Sequence, residues 1–565
     1  MRGEPAPGSS PVRSVVAAAG SIAAITVVAR VVGFGRWFAF SHSVGATCVG
    51  SVYQSVNAVP NVIFEIAAGG VLAAVAVPLV AGALAQGNRA RADETASALL
   101  TWALVVLLPL GVIVLLAARP IAATLLGTGC SDEVALGTQF LEVFAIQLPL
   151  YGIAIVVGGV LQAHRRFVAS ALAPLVSSLV VIATYLLYRA AVPEPAAAIA
   201  AVPSEGVRIL AVGTTLGVAA MAITVVAPLR SVGVRLRPLL RFPAGTGNRV
   251  RSLALAGLLG VAGQQLATLV VIRLANDRGG VGTLNVFLYA QAVTLLPYAV
   301  LAVPLATAAF PGLAHAVAVA PPRPTGGRRR GPGLGPEGHT TLRHSWFGVL
   351  AVGIAGAGIL VAVAGPVGSF FTHLDAGGSA TASAATLAAM AGALVAFAPT
   401  VPALGAIALL SRACYLGEKA VLAGALIGVA WLATTVLPLV LLDPAESDGP
   451  ASLRVLALGS SVGLSCGAAA LAVLVGREWG RSVLAVPARP LLAVVVGAVA
   501  AGSVGWFAGE RFASQDLLAA LGLATAVGVG SAIVLTLVAW AVDPSLPRRL
   551  RTLRSPAPST PGGQE

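Results

Sequence analysis

The chain has 565 residues, of which 57% are hydrophobic and only 10% charged, against about 25% charged in an ordinary soluble chain. So few charges cannot cover a soluble surface, and apolar runs of the ~20 residues that cross a bilayer recur from end to end; a soluble enzyme, a disordered chain and a fibrous protein are excluded, and the continuous, non-alternating runs exclude a β-barrel. The net charge of +14 is not a nucleic-acid signal, because the basic residues sit in short loops between apolar runs, where they set topology.

The expected fold is an all-α polytopic membrane protein of about fourteen transmembrane helices, arranged as two six-helix lobes plus two C-terminal helices. Residues 1–13 read as a polar tail without a cleavable signal. The predicted spans are roughly 14–42, 50–85, 97–117, 135–162, 169–189 and 207–229 in an N-lobe covering 14–230. A C-lobe covering 250–476 holds 250–273, 283–317, 345–372, 382–411, 419–442 and 453–476. The span 283–317 is read as one long, Pro-broken helix. The segment 318–344, rich in Pro, Gly and Arg, is expected as a disordered cytoplasmic linker. Two further helices fall at 489–508 and 516–541, within an extra segment 489–541, and a basic tail covers 542–565.

With the N-terminus placed in the cytoplasm, 26 basic residues fall inside and 7 outside. Such a bias puts both termini and the linker in the cytoplasm. A faint repeat supports two related halves: Tyr53…Pro60…Val77-Pro78-Leu79 in span two, Tyr289…Pro297…Val303-Pro304-Leu305 in span eight. Repeated halves with Pro-broken helices build alternating-access transporters.

Charges within the spans are few: Arg30, Arg36, Glu65 and Glu142. An ionisable group at membrane depth is costly and marks a functional position by default. Arg30 lies about 24 Å along its helix from residue 14, past the middle of a ~30 Å core. It lines a polar cavity or forms a structural pair. Glu65 sits at similar depth on the next, antiparallel span, so the two are expected to pair in at least one conformation. Arg36, nearer the outer end, is left as a freer cation or snorkels, and Glu142 reads as a solvated end residue. Asn61 follows Pro60, whose missing N–H frees a carbonyl. With Gly69 and Gly70 this is a hinge or a static packing kink, and Pro297 is the corresponding hinge in span eight. Gln264, Gln265 and Gln291 either face the same cavity or glue helices together. Catalytic motifs, metal-ligand spacing and cofactor signatures are lacking, so the chain does not read as an enzyme. Cys48 and Cys130 fall in the first two outer loops and alone share an oxidising compartment. A bond between them is considered, with two separate thiols the preferred reading.

Several motifs carry a resemblance. Ala29-Arg30-Val31-Val32-Gly33-Phe34-Gly35-Arg36, Pro60-Asn61, Gly70…Val77-Pro78, Leu161-Gln162-Ala163-His164-Arg165-Arg166-Phe167 with Ala171 and Pro174, Tyr289-Ala290, Pro297, Phe310-Pro311 and Arg412…Tyr415 resemble the MurJ/MviN family of lipid II flippases. That family belongs to the multidrug/oligosaccharidyl-lipid/polysaccharide exporter superfamily. The resemblance implies a flippase moving an undecaprenyl-pyrophosphate-linked peptidoglycan precursor across the plasma membrane by alternating access. The implied partners are the lipid-linked precursor, membrane lipids and other cell-wall synthesis proteins, with no nucleic acid. The candidate substrate-binding residues are Arg30, Arg36, Asn61, Glu65, Gln291 and Arg412. The sequence departs from the family at Phe64, where Arg is common, at Glu65, at Gly69 and at Gln291-Ala292. No acidic sodium site stands in spans seven and eleven. A superfamily transporter of another cargo (a polysaccharide-lipid or a drug/cation antiporter) and a diverged, non-transporting scaffold therefore stay open.

Overall fold

The computed structural model describes residues 11–66, 73–127, 129–193, 198–241, 247–321, 323–324, 330–331, 333–376, 383–443, 448–512 and 516–545; for 11–24, 73–78, 247–257, 323–324 and 330–331 this covers the backbone alone. The described chain is almost wholly helical, as a bilayer requires: without water, backbone N–H and C=O groups must be satisfied within the segment.

The chain divides into two compact units. Unit 1 comprises Met1–Val261 and Asp375–Gly377. Its helices are α1 (Pro11–Ser43), α2 (Cys48–Glu65), α3 (Ala73–Ala85), α4 (Arg89–Leu116), α5 (Ala118–Leu125), α6 (Glu133–Phe144), α7 (Gln147–Ala163), α8 (Phe167–Ala191), α9 (Ser204–Val226) and α10 (Leu229–Val232). The division falls within α11 (Gly247–Arg278). Unit 2 continues with α12 (Thr283–Pro297), a π-helical turn at Tyr298–Ala302, α13 (Val303–Val319), strands β1 (Arg323–Pro324) and β2 (Arg330–Gly331), and α14 (Gly335–Leu374). It ends with α15 (Ala384–Ala388), α16 (Met390–Phe397), α17 (Thr400–Tyr415), α18 (Ala420–Ala433), α19 (Val436–Leu441), α20 (Gly449–Trp479), α21 (Ala488–Arg511) and α22 (Leu517–Val542).

Among the described residues, eleven helical stretches are long and apolar enough to cross a membrane, or twelve if α6 and α7, bent by 40°, make one span. These match twelve of the fourteen predicted spans. The other two predictions, 14–42 and 50–85, fall on α1 and on α2 with α3, where part of the chain lies outside the described residues or is described by backbone alone. The count of fourteen is therefore not reached. Thr283–Val319 forms one continuous stretch, as the Pro-broken reading of 283–317 expected.

The polar ends of several helices are set by side chains. Thr47, Asn88, Asp448 and Asp516 each accept a hydrogen bond from the backbone N–H three residues on, satisfying an orphan donor of the first turn. Within the bilayer, small residues set the spacing. A Cβ on Gly358 of α14 would lie 2.6 Å from the Ala498 carbonyl of α21, and one on Gly509 would lie 2.8 Å from Pro366. Backbones this close gain contact that apolarity alone cannot supply in lipid.

Two expectations are corrected. The linker 318–344 is helical to Val319 and again from Gly335, and Arg323 and Pro324 pair antiparallel with Gly331 and Arg330. Its Pro and Gly content hid Leu334 and Leu342, both buried in the core of unit 2, and this burial extends α14 ten residues ahead of the predicted start. Cys48 and Cys130 are joined in a disulfide, with Cα atoms 6.1 Å apart. The turn before α2 and the loop before α6 bring together two residues 82 apart in sequence, a juxtaposition that loop length could not reveal.

One unit 1 segment was unforeseen. After α10 the chain runs extended along the first four turns of α4. The N–H groups of Arg235, Arg237 and Leu239 donate to Asp93 Oδ2 (3.3 Å), Ser97 Oγ (3.1 Å) and Thr101 Oγ1 (3.0 Å), and Trp102 Nε1 donates to the Leu240 carbonyl (2.9 Å). A period of two on the strap meets a period of four on the helix. Val234 and Leu236 thereby pack on the unit 1 core, while Arg235 and Arg237 stay exposed.

Candidate functional site

The predicted site residues separate by unit. Arg36, Asn61 and Glu65 gather around Tyr151 in unit 1. Pro60 lies within the continuous helix α2, where it withholds a backbone donor. One residue on, Asn61 Nδ2 donates back to the Asn57 carbonyl at 2.7 Å, and Asn61 Oδ1 accepts from the Tyr151 hydroxyl of α7 at 3.1 Å. The Phe64 ring lies 4.4 Å from the Tyr151 ring. The charges of Arg36 and Glu65 both act on the Tyr151 hydroxyl. Asn61 and Phe64 thus fasten the C-terminal part of α2 to α7.

A second polar group lies beside it. The hydroxyl of Tyr53, fully buried, is 2.8 Å from Thr214 Oγ1 and 3.2 Å from the Tyr185 hydroxyl. Thr214 gives its proton to the Leu210 carbonyl at 2.7 Å, so the order that satisfies every oxygen runs Tyr185 to Tyr53 to Thr214. Phe40 stacks on Tyr53, and Phe140 and Phe144 meet it edge-on. Arg36 also acts electrostatically on Tyr53 and Tyr185. Gln147, at the break between α6 and α7, is fully buried; its amide donates to Thr215 Oγ1 at 3.1 Å, and its Oε1 has no partner. At the end of the unit where α1 meets α2, Asp375 accepts from Ser41 Oγ and from the Ala46 N–H, both at 2.8 Å.

Arg30 stands apart. It is exposed on α1 between Val27 and Val31, which are 62% and 65% exposed. It makes no ion pair with Glu65, which is itself exposed at the last residue of α2. Ion pairs are made elsewhere, by Arg273 with Asp277 at 2.9 Å and by Arg278 with Asp277 at 3.1 Å. The expected Arg30–Glu65 pairing is therefore not made in this conformation. Both side chains are exposed on the surface of unit 1.

In unit 2, Gln291 is half-buried on α12. Arg412 donates to its own helix at the Ala408 carbonyl (2.6 Å) and to Thr307 Oγ1 of α13 (3.4 Å), which occupies much of its fork. Pro297 leads directly into the π-helical turn, where the hinge was expected. Gly69 and Gly70 lie outside the described residues. Among the described residues no group of His, Cys, Asp and Glu could hold a metal ion. Tyr151, Tyr53 and Tyr185 were missed as site residues. Their signal was present, since a tyrosine deep in an apolar span needs a partner for its hydroxyl, but nothing local said which.

The family model described as lipid II flippase MurJ matches residues 40–520. A protein of Rhizobium meliloti (strain 1021) named probable lipid II flippase MurJ is 27% identical over 313 residues, covering 54% of this chain and 56% of that protein. The match thus spans only about half the length of that curated relative. A solved lipid II flippase MurJ, in an inward closed conformation, superposes with a TM-score of 0.69 at 14% identity, covering 92% of this chain and 98% of that one. An inward-facing multidrug resistance MATE transporter of the MOP superfamily superposes at 0.59 with 15% identity, covering 86% and 96%. At these identities the two structures speak for the fold alone.

Proposed function

The chain belongs to the lipid II flippase MurJ family, and from that premise we propose that it moves a lipid-linked, pyrophosphate-bearing peptidoglycan precursor across the plasma membrane by alternating access. The observation that carries this reading is Arg30, an exposed cation on α1 without an ion pair or hydrogen bond. A charge at membrane depth does not face lipid; it faces a water-filled cavity or an anionic ligand. A pyrophosphate cannot cross hydrocarbon bare, and guanidinium is its permanently charged, bidentate partner. Arg36 is the second cation; the hydroxyls of Tyr151, Tyr185 and Tyr53 beside it already give their protons to Asn61, Tyr53 and Thr214, so they position the helices around it.

Both termini lie in the cytoplasm in this proposal, as the basic residues indicate. Gln291, Arg412 and Glu65 complete the substrate-handling set, and Pro60 and Pro297 serve as hinges. Membrane lipids and other cell-wall synthesis proteins are the expected partners. The cargo is the part open to a second reading. Phe64 packs on Tyr151 where the family resemblance leads one to expect a cation, which favours a different headgroup on the same isoprenoid carrier.

Expression in a strain depleted of its own lipid II flippase tests the function: growth is the expected result, and lysis with good membrane levels of the protein would leave the other-cargo reading. Arg30→Ala should leave the amount of folded protein unchanged, since it strands no partner. It should lower transport about tenfold or more, the worth of a hydrogen bond to a charged group. Arg36→Ala should likewise fold and fail to transport.

A further inference from the structure

The motif from Leu161 to Phe167 takes no part in that reading, yet it borders a cavity of about 270 Å³ inside unit 1. The walls include Phe64 of α2, Gly158 and Gln162 of α7, Ser170 and Pro174 of α8, and Met221 of α9. Apolar surface predominates. The Ser170 hydroxyl already donates to the Gly158 carbonyl at 3.0 Å, so a ligand here is held by shape and apolar contact. The volume falls just below the roughly 300–1,000 Å³ of pockets that enclose drug-sized ligands. It suits a stretch of one hydrocarbon chain better than a sugar-bearing headgroup.

The turn joining α7 to α8 lies between two of the wall residues, Gln162 and Ser170. The Arg165 and Arg166 N–H groups donate to the Gln162 and Leu161 carbonyls at 2.9 and 2.8 Å, and Arg165 takes a φ of 60°. The turn is thereby fastened to the helix end that lines the cavity. Both arginines are exposed, and neither guanidinium makes a hydrogen bond or ion pair. Phe167 and Val168 follow directly, both large, apolar and exposed. Two unengaged cations, then two apolar anchors, in the turn between two wall residues of an apolar cavity complement an amphiphile with an anion at one end.

We propose that this is a binding site for an anionic phospholipid of the cytoplasmic leaflet, with one acyl chain in the cavity and the phosphate between Arg165 and Arg166. The choice of leaflet rests on the topology proposed above, whereas the chemistry of the site does not.

Native mass spectrometry of the purified full-length protein in detergent, with added phosphatidylglycerol or phosphatidylcholine of identical chains, tests it without reference to sidedness. Phosphatidylglycerol should be retained in preference to phosphatidylcholine. Arg165→Gln with Arg166→Gln should weaken phosphatidylglycerol about thirtyfold and leave phosphatidylcholine unchanged. Gly158→Leu should weaken both lipids, because the nearest atoms to a Cβ there are 3.8 and 4.0 Å away and the longer side chain would enter the cavity. Equal retention of the two lipids by the unaltered protein would overturn the proposal, as would full retention in either variant. Displacement of phosphatidylglycerol by glycerol 3-phosphate as readily as by a diacyl lipid would also overturn it, because the cavity would then hold no chain. Stoichiometric displacement by undecaprenyl pyrophosphate would overturn it too, marking an entry point for cargo. If the arginine variant does not fold, Gly158→Leu alone decides.

Discussion

Tyr151 fastens α7 to α2, the helix that contains Pro60, through a single hydroxyl hydrogen bond to Asn61. Tyr151→Phe keeps the ring against Phe64 and strands only the Asn61 oxygen. The expected cost is about 1 kcal/mol, read as a fall of about 2 °C in the thermal unfolding midpoint, and Asn61→Ala should match it. Because the two changes remove the same bond, the double variant should cost little more than either alone. Additive losses would show that Asn61 and Tyr151 are held independently. Tyr53 presents the opposite case, since its hydroxyl is both donor and acceptor in a buried chain. Its loss would leave Tyr185 and Thr214 to compensate.

At the scale of elements, two devices tie the ends of unit 1. The disulfide fixes the first residue of α2 to the loop before α6 across 82 residues of chain. In the chain-entropy account that loop is worth about 4 kcal/mol, an upper bound where lipid already restricts the unfolded chain. Cys48→Ser with Cys130→Ser should lower the unfolding midpoint clearly, and non-reducing mass spectrometry of the native protein should recover the two linked peptides. The strap along α4 rests on three N–H bonds to side-chain oxygens, each worth about 1 kcal/mol. Replacing Asp93, Ser97 and Thr101 together by Ala should therefore release it by up to about a hundredfold. Trypsin in detergent should then cut faster after Arg235 and Arg241, while Arg237, which precedes Pro238, stays uncut; an unchanged cleavage rate would mean that packing of Val234 and Leu236 alone holds the strap.

For the whole molecule, the distribution of basic residues makes the sharpest forecast. A single cysteine placed at position 330 in a variant lacking Cys414 and Cys466 should resist membrane-impermeant thiol reagents in intact cells and react after permeabilisation. Reaction from outside would invert every loop at once, and with it the leaflet given to Arg165 and Arg166. Cys48 and Cys130 are bonded to each other and do not compete for the reagent.

Spans were legible because each is a local property: about twenty apolar residues that satisfy their own backbone as a helix, in whatever company. The charges at their ends, and the rarity of Arg30, Arg36 and Glu65 within them, were legible for the same reason. Which faces meet was not. Met390–Tyr415 and Leu517–Val542 have the same mean hydropathy of 2.1, yet 78% of one window and 17% of the other are buried. Lipid is as apolar as a neighbouring helix, so hydrophobicity carries no information about which side packs and which faces the bilayer. The joining of Tyr151 to Asn61, the Tyr185–Tyr53–Thr214 chain, the Cys48–Cys130 bond, the burial of Leu334 and Leu342 that shortens the linker, and the separation of Arg30 from Glu65 all turn on that choice of faces, and the tertiary structure alone made it.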